Sequence, residues 1–325
     1  MTSYIVRRLV YAVLILVGVN LLTFVLFFAV NSPDNIARLN LGGKRVTQEM
    51  IDKWKAEHGY DNPLWINPSA PGAGKLTATI FYQRSLRMFR LDFGTANNGR
   101  DIGHELATRI GPTAGLMVPM VLLTAAVSIA FALVLVFFRA SYLDFWGIVL
   151  CVVSMSISSL FYIIVGQWIF AKTLSEVPIS GYDGSLDAIK FLALPVIVGI
   201  VYQLGSEARL FRAMLLEEAG RDYVRTARAK GLPEGVVLFH HVLRNAWLPI
   251  LTHLGALLPY AFLGSIVFES FFSVPGLGSY TLEAIVGQDF GIVHAMVFLG
   301  SALYILAFLL TDLAYAWVDP RVRLA

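Results

Sequence analysis

The charges of this sequence are placed so that six long stretches contain none. Reading from one charged residue to the next isolates Leu9–Pro33, Ile110–Phe138, Phe145–Ala171, Phe191–Ser206, Asn245–Phe268 and Phe290–Thr311. Five of the six exceed the ~20 residues that a helix rising 1.5 Å per residue needs to cross a ~30 Å hydrocarbon core. Within a bilayer each backbone N–H and C=O must be bonded inside the protein, so apolar runs of this length fold as helices. The expected fold is all-α and membrane-integral, with spans over about 9–31, 112–138, 145–171, 187–206, 246–268 and 290–316. The fourth run is short. Starting it near Leu186 leaves Asp187 and Lys190 at the interface, where Lys190 can snorkel; its helix can also continue into the charged segment that follows.

Composition supports a lipid-facing surface. Of 325 residues only 14% are charged and 57% are hydrophobic, against about 25% charged in a soluble domain. A net charge of +3 gives no reason to expect nucleic acid as a partner. The single cysteine, Cys151, sits in an apolar run, which rules out an intrachain disulfide and reads as a small packed residue. Arg7 and Arg8 precede a run too long for a signal-peptide core and without a small-residue cleavage site, so the first span is expected to stay uncleaved.

Short loops set the orientation. Arg7 and Arg8, Arg139, the segment Glu207–Arg244 with its seven basic residues, and Arg321 with Arg323 all fall on one side if there are six spans. The positive-inside rule makes that side cytoplasmic, together with both termini. The opposite loops, Lys172–Lys190 and Glu269–Asp289, are neutral to acidic. Three regions result: a first span (1–33), an extracytoplasmic region (34–109) and a core holding the remaining spans (110–325), which carries a cytoplasmic loop over 207–245. In the extracytoplasmic region Thr47 reads as the N-cap of a short helix. Asn67–Gly74 reads as turns, and Ala78–Phe89 as an amphipathic surface helix with Phe81, Tyr82, Leu86 and Phe89 on its apolar side. Pro71-Gly-Ala-Gly-Lys75-Leu-Thr77 resembles a phosphate-binding loop only faintly: Ser69 and Leu76 stand where that motif needs Gly and Ser or Thr.

The stretch from Leu215 to Glu234 carries the most information. Arg221, Arg225 and Arg228 lie at i, i+4 and i+7, on one helical face. Val224, Ala227 and Gly231 form a small-residue side suited to close approach by another surface. Gly231 is a helix stop, and Pro233 with Glu234 opens a second helix that leads through Leu243-Arg-Asn-Ala-Trp-Leu-Pro249 back into the membrane. A solvated basic loop that only satisfies topology would carry the same charges.

At this point the chain resembles a known family. Asp222-Tyr-Val-Arg-Thr-Ala-Arg-Ala-Lys-Gly231-Leu and His241-Val-Leu-Arg-Asn-Ala246 are similar to the EAA loop of ABC-importer permeases, in the wording of the dipeptide/oligopeptide/nickel subgroup. Arg225-Thr-Ala227 stands where the general motif has Glu-Ala-Ala. Tyr4-Ile-Val-Arg-Arg-Leu, Leu91-Asp-Phe-Gly-Thr, Phe268-Glu-Ser-Phe-Phe-Ser-Val-Pro-Gly-Leu-Gly278 and Asp312–Arg321 look like the first of the two permeases such systems use. The region around 64–79 departs by being longer.

The resemblance implies a subunit that moves peptides delivered by an extracytoplasmic binding protein, by alternating access; nickel, oligosaccharide or antimicrobial peptide are alternative cargoes. It implies a homologous second permease and two cytoplasmic ATPase subunits as partners, in a bacterial-type inner membrane. ATP and Mg would bind to the ATPase partners, and this chain would hold no cofactor, metal or catalytic residue. The ATPase-coupling residues would be Arg221, Asp222, Tyr223, Arg225, Thr226, Ala227, Arg228, Ala229, Lys230, Gly231, Leu232, Arg244 and Asn245. Glu269, Phe271, Phe272, Pro275, Gly276 and Gly278 would form a periplasmic gate, with Phe268, Phe271 and Phe272 as a plug; an interfacial aromatic belt with a turn is the plainer alternative. Ser156, Ser159, Gln167 and His253 are candidate polar residues of a pore. Serines and glutamine also serve as glue between helices, and His253 can simply bond a neighbouring span. A secondary transporter or channel, the rival class, would need intramembrane charges or broken spans as coupling sites.

Overall fold

The computed structural model describes residues 2–42, 46–173, 180–183 and 188–318. It is built of helices: α1 (Thr2–Val30), α2 (Pro33–Asn40), α3 (Gln48–His58), α4 (Gly74–Thr77), α5 (Ile80–Arg84), a 3-10 turn (Leu86–Arg90), α6 (Ile102–Phe137), α7 (Tyr142–Met155) and α8 (Ser159–Gly166), which continues as π-helix over Gln167–Thr173. Then follow α9 (Ala188–Ala219), α10 (Asp222–Ala229), α11 (Glu234–Val236), a π stretch (Val237–Leu243), α12 (Arg244–Leu263), α13 (Ile266–Phe271), α14 (Leu277–Val286) and α15 (Phe290–Val318). Among the described residues, five helices are long and apolar enough to span a membrane, and six if the bent pair α7 and α8 is one span. The expected start of the fourth span at Leu186 and Asp187, and Arg321 with Arg323, lie outside the described residues.

The third and fifth spans differ from expectation in instructive ways, and the fourth follows the longer of its two readings. The third is not straight: α7 and α8 meet at 94°. Ser156 closes α7, and the Ser158 hydroxyl accepts from the Phe161 N–H to cap α8, a serine geometry that starts a new helix within an uncharged run. The fourth span runs on without a break to Ala219, thirteen residues past the last uncharged position. The helix expected after Pro233 is no separate element, because the chain stays helical from Glu234 to Leu263 and enters the fifth span directly.

The chain divides into two compact units. The first comprises Met1–Ile110 and Tyr280–Ile305. Its core gathers Phe24 of α1 with Ile36, Ala37, Ile51, Trp54, Tyr60 and Ile80. Helix α3 starts after Thr47, although the Thr47 side chain makes no cap bond, and it ends at Gly59 with φ 71°. Lys55 reaches Asp34 at 2.7 Å and Asp52 at 3.0 Å, tying α3 to α2. The amphipathic helix expected over 78–89 is broken at Ser85 into α5 and the 3-10 turn. Ile80, Ser85 and Met88 are buried, whereas Leu86 and Phe89 are exposed.

The second unit comprises Gly111–Ser279 and Leu306–Leu324. One apolar cluster joins Leu116, Met120, Ile163, Leu194, Val198, Phe268 and Phe272. The other joins Leu133 and Val136 to Phe211 and Leu215 and to the loop residues Val224, Ala227, Val237, Leu238 and Val242. The basic loop is thus packed onto its own spans.

Candidate functional site

Helix α10 begins at Arg221, whose backbone is extended, and carries Asp222 in its first turn, where an acid meets the positive end of the helix dipole. Val224 and Ala227 are buried among Phe211, Leu215 and Ala219 of α9 and Val237, Val242 and Ala246. The small-residue side expected to receive another surface therefore faces the chain's own helices. What α10 presents outward is the opposite side: Arg221, Asp222, Tyr223, Arg225, Thr226, Ala229 and Lys230 are exposed, followed by Gly231 and Leu232, with Arg244 and Asn245 exposed on α12.

Gly231 has φ +78°, and nothing lies within 4 Å of where a Cβ would stand. It is glycine for its left-handed backbone alone, and its N–H donates to the Arg228 carbonyl at 2.9 Å. Across this turn the Arg228 guanidinium donates to both oxygens of Glu234, at 3.0 and 2.7 Å. Arg228, one of the expected coupling residues, thus finds its carboxylate within the loop itself. Among the described residues Arg225 pairs with Asp222, and both are widely exposed. Tyr223 donates to Glu218 at 2.7 Å. Its phenol is pushed up to about 12 by burial and, secondarily, by Glu218. Asn245 donates to the His241 carbonyl.

Two pairs that single-residue reading missed fix α9 in place. Arg212 donates to both oxygens of the buried Asp144 at the start of α7, at 2.9 and 2.8 Å, and Asp144 also accepts from the Ala140 N–H. Higher on α9, Glu207 lies 2.8 Å from His253 Nε2 of α12. His253 does find a neighbouring span, and its partner there is a carboxylate. Both acids border the uncharged runs that defined the spans, so their only sequence signal was being boundary charges.

The segment after α12 is organised by Glu269, which is fully buried. Its Oε1 accepts from the Thr113 hydroxyl at 3.0 Å and its Oε2 from the Ser279 N–H at 2.9 Å. Thr113 accepts in turn from the Leu277 N–H at 2.8 Å. A Cβ on Gly276 would collide with the carboxylate and with Thr113, and one on Gly278 would stand 2.8 Å from the Ile266 nitrogen. Glycine is required here by close approach. Pro275 is exposed at the tip. The expected aromatic plug is split: Phe268 and Phe272 stack within the second unit's core, 6.2 Å apart, while Phe271 faces outward. The Phe272 carbonyl accepts from the Gly181 N–H.

The candidate pore residues separate. Ser156 donates back to the Val152 carbonyl, and Ser159 opens α8 behind its Ser158 cap. Gln167 donates to the Phe271 carbonyl at 3.2 Å, which attaches the end of the bent span to the Glu269 segment. His253 stands apart with Glu207. Among the described residues, no cluster of His, Cys, Asp or Glu could hold a metal ion.

Comparison with known proteins agrees over the whole length. The family described as binding-protein-dependent transport system inner membrane component matches residues 113–324, and its N-terminal membrane component matches residues 1–69. A putative peptide transport system permease protein of Brucella abortus is 31% identical over 99% of both chains. A probable peptide ABC transporter permease protein of Sinorhizobium fredii is 30% identical over 99% of this chain and 100% of its own. A dipeptide transport system permease protein of Alkalihalophilus pseudofirmus is 27% identical over 99% of this chain and 100% of its own.

Proposed function

The chain belongs to the family of binding-protein-dependent transport system inner membrane components, and on that premise we propose that it carries peptides inward as one permease of an ABC importer. The peptide class comes from the names of the relatives. A second permease completes the path, an extracytoplasmic protein delivers the cargo, and two cytoplasmic ATPases bind ATP and Mg and supply the energy. Both termini and the 207–245 loop face the cytoplasm.

Within that assembly α10 docks onto an ATPase. The observation that carries this reading is the continuity of α9, which leaves the apolar span and ends at Ala219, two residues before the N-cap of α10. The apolar side of α10 is held by its own spans and its polar side is left outward, so a partner that grips the outer side moves a span. Arg225, Thr226, Ala229 and Lys230 form the contact, while Arg228 with Glu234 and Gly231 set its angle. The Glu269 segment forms the gate at the opposite end.

The test uses the four-protein complex with its binding protein, reconstituted in vesicles. Cysteine at Arg225 or Thr226, in a Cys151→Ser background, is expected to cross-link to the ATPase. Gly231→Pro, whose ring fixes φ near −65° where +78° is needed, is expected to leave ATP hydrolysis while abolishing peptide uptake. A correctly inserted Gly231→Pro complex that transports normally would sink the coupling role.

A further inference from the structure

Two helices of the first unit act as depth gauges for the segment between α5 and α6. Phe27 of α1 and Phe290 of α15 stand at one level, their rings 5.7 Å apart. Below that level, Asn20 of α1 donates to the Ser85 carbonyl, and Phe298 of α15 packs 5.1 Å from Phe89 and 6.3 Å from Phe93. At 1.5 Å per residue Asn20 lies about 10 Å beneath Phe27, and Phe298 about 12 Å beneath Phe290. The two gauges agree.

The bilayer has little freedom to slide away from this segment. The uncharged run that covers most of α1 is Leu9–Pro33, with Arg8 before it and Asp34 after it. A crossing of ~20 residues within it then leaves Asn20 about 12 Å or more inside the apolar boundary. The 3-10 turn Leu86–Arg90 therefore sits at membrane depth, although it belongs to a loop. It carries Arg87 and Arg90 at i and i+3, which the three-residue turn places on one side. Both are exposed, and among the described residues Arg87 has only the equally exposed Asp92 at 3.8 Å as an ion partner. Charged side chains at such depth face a water-filled cavity rather than hydrocarbon.

We infer that Arg87 and Arg90 line the aqueous path of the permease on its binding-protein side and bind the carboxylate of the passing substrate. This rests on the peptide reading for its cargo, but the position of the two arginines can be tested without it. A guanidinium fork matches a carboxylate, and a peptide's C-terminus presents one. Exposed arginines at this depth have one other source of anions, the lipid phosphates above them, to which long side chains can snorkel.

The assembled importer separates these cases. Arg87→Cys and Arg90→Cys, made with Cys151→Ser, are treated in sealed cells with a membrane-impermeant charged thiol reagent, with and without a transported tripeptide. Labelling that the tripeptide suppresses is expected. Absence of labelling, with quenching of a fluorophore at the same cysteine by brominated lipid, would assign the arginines to lipid and overturn the inference. Absence of both would assign them to a subunit contact and overturn it equally. In uptake assays, Arg87→Gln is expected to raise the KM for a free-carboxylate tripeptide by about tenfold or more and to leave that for its C-terminal amide unchanged. An equal loss for both would remove the carboxylate contact. If the wild-type importer carries neither peptide but the cysteines still label, the peptide reading fails and the aqueous position stands.

Discussion

Arg228 and Glu234 close a two-point contact over the Gly231 turn, at 3.0 and 2.7 Å, between α10 and the helix that becomes the fifth span. The pair is partly open to solvent, so its weight in stability is small, below about 1 kcal/mol. Its weight in geometry is larger, since it holds the angle of α10. Glu234→Gln is expected to leave the melting temperature nearly unchanged while reducing transport per ATP hydrolysed in vesicles. A lowered melting temperature with unchanged coupling would show the pair to be merely a clamp.

Arg212→Ala should cost far more. It strands the Asp144 carboxylate, which is 6% exposed, and an uncompensated buried charge is worth about 3–5 kcal/mol. The double variant Asp144→Leu with Arg212→Leu removes both charges and should recover much of that loss. Thermal unfolding in detergent of the two single variants and the double variant measures the difference; equal losses in all three would contradict the argument.

Glu269 offers a complementary test at the other end of the second unit. Glu269→Ala leaves the Thr113 hydroxyl and the Ser279 N–H without their acceptor, at about 1–3 kcal/mol. Gly276→Ala keeps the acceptor but forces a methyl into it, and should destabilise comparably through displacement of the segment. Glu269→Gln retains an acceptor oxygen and should fall between wild type and the alanine variant. Proteolysis within 264–279 reports local opening directly, and indifference of all three variants would remove Glu269 as the organiser.

Tyr223 supplies the pH prediction. Its phenol is raised to about 12, first by burial and then by the bond to Glu218. A raised pKa means that the protonated form is favoured in the fold. The contribution is therefore complete below the ordinary tyrosine value of about 10 and is lost as pH rises through 12. The tyrosinate absorbance of wild type minus Tyr223→Phe should titrate near 12. A component near 10 would mean that α10 is not seated against Glu218.

Much of the architecture was legible because charge in a membrane protein is confined to a few places, and the gaps between charges are the spans. The bend in the third span was hidden for the same reason. Phe145–Ala171 contains no charge, so only the serine cluster at 156–159 marked the break, and those serines read equally well as pore polarity. The turn at Gly231 was visible because glycine and proline act on the local backbone. The side on which α10 meets its own spans was not, since Val224 and Ala227 look alike whether they face a partner or Phe211. Arg212 with Asp144 and Glu207 with His253 escaped because each joins residues at least 46 positions apart, and their partnership exists only once α9 is known to run unbroken.

That unbroken helix has a mechanical side. From Ala188 to Ala219 it is 32 residues, a rod of about 48 Å. Pinned near one end, such a rod that swings by about ten degrees carries its other end through about 8 Å, more than the width of an amino-acid backbone. A modest rotation imposed at Ala219 is thus enlarged along the shaft, so a small movement at one end of the second unit becomes a passage-sized one at the other.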